Sequence, residues 1–384
     1  MRIERVVTYP LLYRLGEPYG DANGLKKFRT AYMIRVITDE GLEGWGECSG
    51  WLPSLDQCFK ESIIPYLTGR SVYERAKHSN KIAGWERRAA ACVDMALTEI
   101  AAKQAGLHIT DLWGGLLRES VPVYASFQSY SSHEDWMQRS WKTVEKAMEQ
   151  GFYAAKVKVG GKTIREDQRH ISRLLDMMKE LNQDASTSVQ HAGLALDANQ
   201  SYDAAAAREW TRQLRAWDDV LWFEEPMPIR EPEEYRYLRS VLPVPVAGGE
   251  NIQDVHRFLP MLYSHALDLA QPDPMHLGGL EPYRDVLRAA RHLGVRVSPH
   301  TFDGALARLY ALFAQACLEP WSKMAGSGIE PVEWDVTDNP LNGLVGLQPV
   351  NGQVRIPGGP GIGVEMDTDL LAKYRWDGSS YGVE

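Results

Sequence analysis

Asp197, Glu224, Glu250, Asp273 and His300 follow one another at intervals of 27, 26, 23 and 27 residues, each at or just beyond the end of a short apolar run. Three carboxylates brought within a few ångströms repel one another unless a cation sits among them. Asp197, Glu224 and Glu250 offer only oxygen, and an all-oxygen set selects a hard divalent ion, Mg²⁺ first. Each acid alone reads equally well as a helix N-cap or a solvated loop residue; the repeated spacing joins them. Lys156 and Lys158 flank Val157, so strand alternation puts both amines on one face and Ala155 and Val157 on the other. Two such lysines beside a metal depress each other's pKa, which makes one of them a usable base near neutral pH. Asp273 beside His300 would fix the imidazole tautomer and raise its basicity, giving a second acid/base across from Lys158. The chemistry that needs such a set is removal of a proton α to a carboxylate. The resulting enediolate carries a second negative charge, which the cation and Lys156 stabilise as it develops. Gly160-Gly161-Lys162-Thr163 looks like the end of a phosphate-binding loop, but Lys156 occupies the position of the earlier glycine, and that reading fails.

These residues need a scaffold that gathers them. From residue 121 onward, apolar runs at 121–126, 154–159, 194–197, 220–224, 244–247, 266–271, 295–298 and 331–334 alternate with amphipathic stretches. Eight candidate strands separated by helical segments predict a parallel βα array. A barrel would bring their C-terminal ends around one mouth, whereas a doubly wound sheet would spread them along a line. The barrel is the expected layout. The preceding residues read as α+β, with strands at 6–15, 30–38 and 43–47 and a helix at 86–104 ended by Gly106. Residues 16–28, polar and glycine-containing, read as a mobile surface loop. Beyond Asp335 the chain is rich in Gly and Pro and is expected to return onto the first unit.

Lys and Arg total 42 against 51 Asp and Glu, a net charge of −9. Such a surface repels phosphate backbones and anionic lipid, so neither nucleic acid nor a membrane is an expected partner. No apolar window is long enough to span a bilayer, and Arg2, Glu4 and Arg5 interrupt any leader-like start. Cys48, Cys58, Cys92 and Cys317 are scattered, the pattern of reduced thiols in a cytoplasmic protein.

Lys156-x-Lys158, Asp197-x-Asn199, Glu224-Glu225-Pro226, Gly249-Glu250, Pro272-Asp273 and Ser298-Pro299-His300 together resemble the mandelate racemase subgroup of the enolase superfamily. Gly44-Trp45-Gly46-Glu47, Asp94-Met95-Ala96-Leu97 and Leu112-Trp113-Gly114-Gly115 resemble its N-terminal capping domain. The resemblance covers nearly the whole chain, and its specificity lies in the order and spacing of individually weak motifs. It implies an α/β fold, a modified TIM barrel of the (β/α)₇β kind under an α+β cap. The implied units are a cap over 1–120, a barrel over 121–345 and a returning segment over 346–384. By the same resemblance Asp197, Glu224 and Glu250 are metal ligands for Mg²⁺, Lys158 is one base, and His300 with Asp273 is the opposite acid/base. Lys156 is similar to the lysine that contacts the substrate carboxylate, and Asn199 to the residue that binds its 2-hydroxyl. Glu333 is the implied last catalytic glutamate, with Glu330 and Glu319 as competitors. Loops near Tyr19 and Trp51 would cover the mouth and help choose the substrate.

A small-molecule carboxylate is thus the expected substrate, and a homo-oligomer the expected assembly. Glu17, Asp21, Asn23, Lys26, Lys27 and Arg29 make the cap polar, which suits a polyhydroxylated acid better than an aromatic one. Dehydration of an aldonate or aldarate to a 2-keto-3-deoxy acid is the expected reaction. Racemisation or epimerisation of a 2-hydroxy acid, or cycloisomerisation of an acid-sugar lactone, is the alternative. A non-catalytic binding barrel is opposed by the complete set of acids, bases and ligands.

Overall fold

The computed structural model describes residues 1–183, 191–326 and 328–382. Its first three strands, β1 (Ile3–Asp21), β2 (Gly24–Thr38) and β3 (Glu43–Cys48), form an antiparallel sheet. The Arg87–Ala105 helix lies against it, stopped by Gly106 at φ +68° as expected. Residues 16–28 depart from the expected loop. They are the far arms of the β1–β2 hairpin, with Tyr19 opposite Lys26 and Asp21 opposite Gly24. A register shift between Arg14 and Tyr19 absorbs the intervening Leu15-Gly16-Glu17-Pro18. The hairpin tip is further held by β5 (Tyr130–Ser131), which pairs with Gly20 and Tyr19. Gly20 is required there, because a Cβ would run into the Gly24 carbonyl.

The eight expected parallel strands all form. They are β4 (Ser120–Ser126), β6 (Ala154–Lys158), β7 (Gly193–Asp197), β8 (Val220–Glu224), β9 (Val246–Gly248), β10 (Leu269–Ala270), β11 (Arg296–Val297) and β12 (Val332–Asp335). Their order in the curled sheet is β11-β10-β9-β8-β7-β6-β4-β12. At the seam, Ser298 Oγ donates to the Pro331 carbonyl at 2.6 Å and Glu333 N to the Pro299 carbonyl at 3.4 Å. Strands buried on both faces explain why these runs read as nearly continuous apolar segments. Outward residues such as Val157, Leu196 and Phe223 pack beneath the helices, while Tyr124, Ala154, Ala195, Trp222, Ala247 and Leu269 form an inner floor. The polar strand ends stand directly above that floor.

The tail touches both units. Leu12 N donates to the Tyr374 carbonyl at 2.9 Å and Trp376 N to that of Pro10 at 2.8 Å, which seats it on β1. Before that, β13 (Gln353–Arg355) pairs antiparallel with β4, Val354 facing Val121. No helix among the described residues is long and apolar enough to cross a membrane.

Candidate active site

Asp197 and Glu224 are the last residues of β7 and β8, and Glu250 lies two residues past β9. Each offers an oxygen within 4.8 Å of the others. Asp197 and Glu224 are buried, whereas the Glu250 side chain keeps 12% exposure and marks the open side. The donor set is all carboxylate oxygen, which fits a hard divalent cation. Trp222 Nε1 and Gln271 Nε2 both donate to Glu224 Oε2, at 3.0 and 2.6 Å, and orient it. Asn199 N donates to Asp197 Oδ1 at 2.9 Å. Asn199 holds φ at +43°, and its buried Oδ1 has no protein partner.

Both lysines rise from β6 into this cluster. Lys156 Nζ is fully enclosed, 2.6 Å from Glu224 Oε1, 2.8 Å from Glu333 Oε1 and 3.5 Å from Asp197 Oδ2. Lys158 Nζ lies 2.5 Å from Asp197 Oδ2. Beside a bound cation the two lysines are expected to depress each other's pKa; among the carboxylates alone the balance runs the other way. Burial and, for Lys158, the neighbouring Lys156 do push downward, but the surrounding carboxylates outweigh them and hold both amines above the ordinary lysine value. The same contacts act on the acids. Burial opposes the Asp197 charge, yet Lys158 and Lys156 hold its carboxyl down at about 2. Burial and the Asp197 charge push Glu224 up to about 7 despite Lys156. Burial and neighbouring charge thus disfavour the Glu224 carboxylate, a condition a bound cation would relieve.

Across the ligand arc, His300 follows β11 and Asp273 follows β10. His300 Nδ1 is 2.8 Å from Asp273 Oδ2, while its Nε2 faces Glu250 Oε2 at 3.2 Å and Glu333 Oε2 at 3.5 Å. Burial alone would lower the imidazole, but Glu250, Glu333 and Asp273 raise it to about 10. Around the sheet, Lys158 and His300 thus stand on either side of the three candidate ligands.

Glu333 is the glutamate that reaches the mouth. Its Oε1 also accepts from Ser126 Oγ at 2.6 Å, and its Oε2 accepts from Thr301 N at 2.9 Å. Glu330 instead forms a fork with Arg291, at 2.9 and 2.5 Å, away from the cluster. Glu319 is exposed, its carbonyl accepting from Arg291. Tyr19 donates to Thr337 Oγ1 at 3.4 Å, just past β12. Trp51 is 45% exposed and packs on Tyr381 with ring centroids 4.4 Å apart; among the described residues neither it nor Tyr19 bonds the carboxylate–lysine cluster.

Trp222, Gln271 and Ser126 escaped sequence reasoning. The first two lie two residues before Glu224 and Asp273, so strand alternation alone would have placed them on the interior face. Arg29 was read only as part of a polar cap. Its Nη2 lies 2.9 Å from Asp335 Oδ2 and 3.1 Å from Asp303 Oδ1, and its guanidinium stacks 4.3 Å over Phe302, two residues beyond His300.

A capped βα barrel whose strand ends gather three carboxylates, two lysines and an Asp–His pair is the architecture of enolase-type enzymes. Residues 13–114 match the mandelate racemase / muconate lactonizing enzyme N-terminal domain, and residues 140–370 match the enolase C-terminal domain-like family. The chain belongs to the enolase superfamily, in its mandelate racemase / muconate lactonizing enzyme group, and is an enzyme of the lyase or isomerase type. It is 30% identical to the D-galactarolactone cycloisomerase of Agrobacterium fabrum, over 98% of this chain and 99% of that one. It is 26% identical to the arabinonate dehydratase of Saccharolobus solfataricus, over 97% and 99%. A solved enolase-superfamily member from Polaromonas sp. JS666 superposes with a TM-score of 0.82 at 25% identity, covering 100% of both chains.

Proposed function

We propose that this enzyme removes the proton α to the carboxylate of a sugar acid and then expels the β-hydroxyl, giving a 2-keto-3-deoxy acid. The observation that carries the reading is the placement of Lys158 and the His300–Asp273 pair on opposite sides of the Asp197–Glu224–Glu250 arc. Those three carboxylates would hold Mg²⁺, which supplies positive charge for the enediolate's second negative charge. Lys158 or His300, according to the C2 configuration and in its unprotonated form, takes the α-proton as the C–H bond breaks. The electron pair forms the enediolate, the β C–O bond then breaks, and His300 Nε2 protonates the departing hydroxyl to water. Tautomerisation of the enol completes the ketone. Asp273 keeps Nδ1 protonated, so Nε2 is the nitrogen that exchanges protons with substrate. Asn199 Oδ1, buried and unpartnered, is an acceptor suited to a substrate hydroxyl. Lys156 and Glu333 act beneath, the ammonium adding positive charge and the glutamate holding Lys156 and His300 in place.

A second reading is cycloisomerisation of an acid-sugar lactone, favoured by the full-length likeness to the Agrobacterium enzyme. It uses the same α-proton removal but keeps every atom of the substrate. A homo-oligomer in the cytoplasm is part of the proposal, the location resting on four free thiols. The test is a panel of aldonates, aldarates and their lactones incubated with the protein and Mg²⁺, read by mass spectrometry and a carbonyl reagent. A product lighter by one water supports dehydration. A consumed lactone of unchanged mass selects cycloisomerisation, and an inverted acid of unchanged mass selects epimerisation. Neither turnover nor α-proton exchange with any member would overturn the enediolate reading.

A further inference from the structure

The two barrel helices that follow the Asp273 and His300 loops have no capping side chain of their own. The Leu280–His292 helix begins after Gly279, and the Ala305–Cys317 helix after Gly304, neither with a local side-chain cap. Four N–H groups at each start need acceptors, and the helix dipole there favours an anion. The capping domain supplies both. Asp94, on the Arg87–Ala105 helix, accepts from Leu280 N through Oδ2 at 2.7 Å. Glu47, on β3, accepts from Leu306 N at 2.6 Å and Ala307 N at 3.2 Å through Oε2. A Cβ at Gly304 would stand 3.1 Å from Glu47 Oε2, and one at Gly279 3.2 Å from Asp94 Oδ2, so the glycines make room for carboxylates from another unit.

The Glu47 contact continues to the site. Arg308, in the first turn of the helix that Glu47 caps, is buried and donates to the Thr301 carbonyl from Nη2 at 3.2 Å and Nε at 3.4 Å. Thr301 adjoins His300 and is itself tied to Glu333, through N to Oε2 at 2.9 Å and through Oγ1 to the carbonyl at 2.7 Å. We propose that Glu47, with Asp94 as its counterpart one helix earlier, is a positioning residue that sets the His300–Asp273 pair from the capping domain. Neither touches substrate. Glu47 and Asp94 thereby act on one acid/base of the site, whereas Lys158 is carried on β6, with Nζ against Asp197 and N bonded to Ser129 Oγ, beside the β5 strand that pairs with β1. Burial pushes the Glu47 carboxyl up to about 7 in spite of its N–H donors and Arg308, so the group costs stability where it stands. A structural cap alone would be served as well by a neutral side chain.

The inference about selectivity rests on the function proposed above, and its test separates the two. Glu47→Gln, Glu47→Ala and Asp94→Asn would be compared with Glu43→Gln, a half-buried control on the same strand that pairs with Arg35, all as full chains with Mg²⁺. In D₂O, α-proton exchange would be followed on hexonates and hexarates epimeric at C2. Glu47→Ala is expected to slow exchange of the epimer served by His300 about 10- to 100-fold, since displacements of about 1 Å have that effect, and to leave the epimer served by Lys158 within about twofold. Glu47→Gln, which keeps an acceptor oxygen, should fall between. The second readout needs no substrate: the downfield proton resonance of His300 Nδ1–H, assigned by its loss in His300→Asn. It should shift or broaden in Glu47→Ala and Asp94→Asn and stay in place in Glu43→Gln. Equal slowing of both epimers, or an unmoved His300 resonance, would overturn the inference. Absence of exchange by the unaltered protein with a shifted resonance would overturn the proposed function and leave the positioning intact.

Discussion

Asp273 Oδ2 stands 2.8 Å from Nδ1 of His300 and leaves Nε2 of the same ring facing Glu250 Oε2 at 3.2 Å. One carboxylate thus fixes which nitrogen is the fixed donor, and the other nitrogen looks into the mouth. Asp273 is itself anchored, its Oδ1 accepting from Met275 N at 2.6 Å. An Asn at this position keeps the shape but can present an N–H to the ring, which selects the wrong tautomer. Asp273→Asn is expected to lower kcat by about 10²- to 10⁴-fold with little change in KM, the range of a lost general acid/base. Steady-state kinetics on the best substrate check it; a kcat within about twofold would remove the pair from the mechanism.

The metal requirement follows from the charge of the ligand arc. Glu250→Gln should weaken Mg²⁺ binding at least about 10-fold by calorimetry, since changes around a bound metal already cost that much. Mg²⁺ should also raise the Tm in a concentration-dependent way in the unaltered chain and less in the variant. Full turnover after exhaustive chelation would contradict the assignment.

Lys158 and His300 face the mouth from different strands, and their removal should be distinguishable. Lys158→Ala and His300→Asn are each expected to abolish net turnover, with kcat down about 10²-fold or more. Each variant should still exchange the α-proton of the substrate epimer that faces the remaining base, as read by NMR in D₂O. Loss of both exchanges in either variant would show that the two groups do not work on separate faces.

Glu47 predicts a pH dependence of stability whose sign can be worked out. Burial raises its carboxyl to about 7 against an ordinary value of 4.5, with Arg308 and the helix N–H groups only partly offsetting it. The folded chain therefore retains a proton that the unfolded chain releases. The stability from that proton is fully present below the unfolded carboxyl pKa and is lost as pH rises through about 7. Across that window the loss is at most about 3 kcal/mol. Glu47→Gln mimics the protonated form, so the difference in unfolding free energy, unaltered chain minus variant, should fall as pH rises from about 4 to about 8. Denaturant unfolding at several pH values measures it, and a flat or rising difference would contradict the burial argument.

The barrel was legible because its signals are local. Each parallel strand is buried on both faces, which makes it apolar, and each ends in a polar residue one βα unit after the last. Residues 16–28 were misread because polar composition was weighed above pairing. Asp21-Ala22-Asn23-Gly24 is a turn signal within that stretch, and the arms on either side pair across it. For the lysines, mutual repulsion could be read from two positions on one strand, but the carboxylates that offset it, Glu224 and Glu333, come from strands far along the chain.

The sequence by itself determined which side chains end the barrel strands and therefore which groups meet at the mouth, since strand periodicity and βα spacing are properties of neighbouring residues. Only the tertiary structure decided that Glu333 and not Glu330 enters the cluster. Three residues apart, Glu333 lies on β12 and Glu330 two residues before it, one bonded to Lys156 and the other to Arg291. It also decided that Glu47 and Asp94 cap helices more than 180 residues away, at Leu306 and Leu280. A helix that borrows its cap from another unit shows only a glycine where its own cap would be. The partner is set by how two independently patterned units dock, and no local pattern records that.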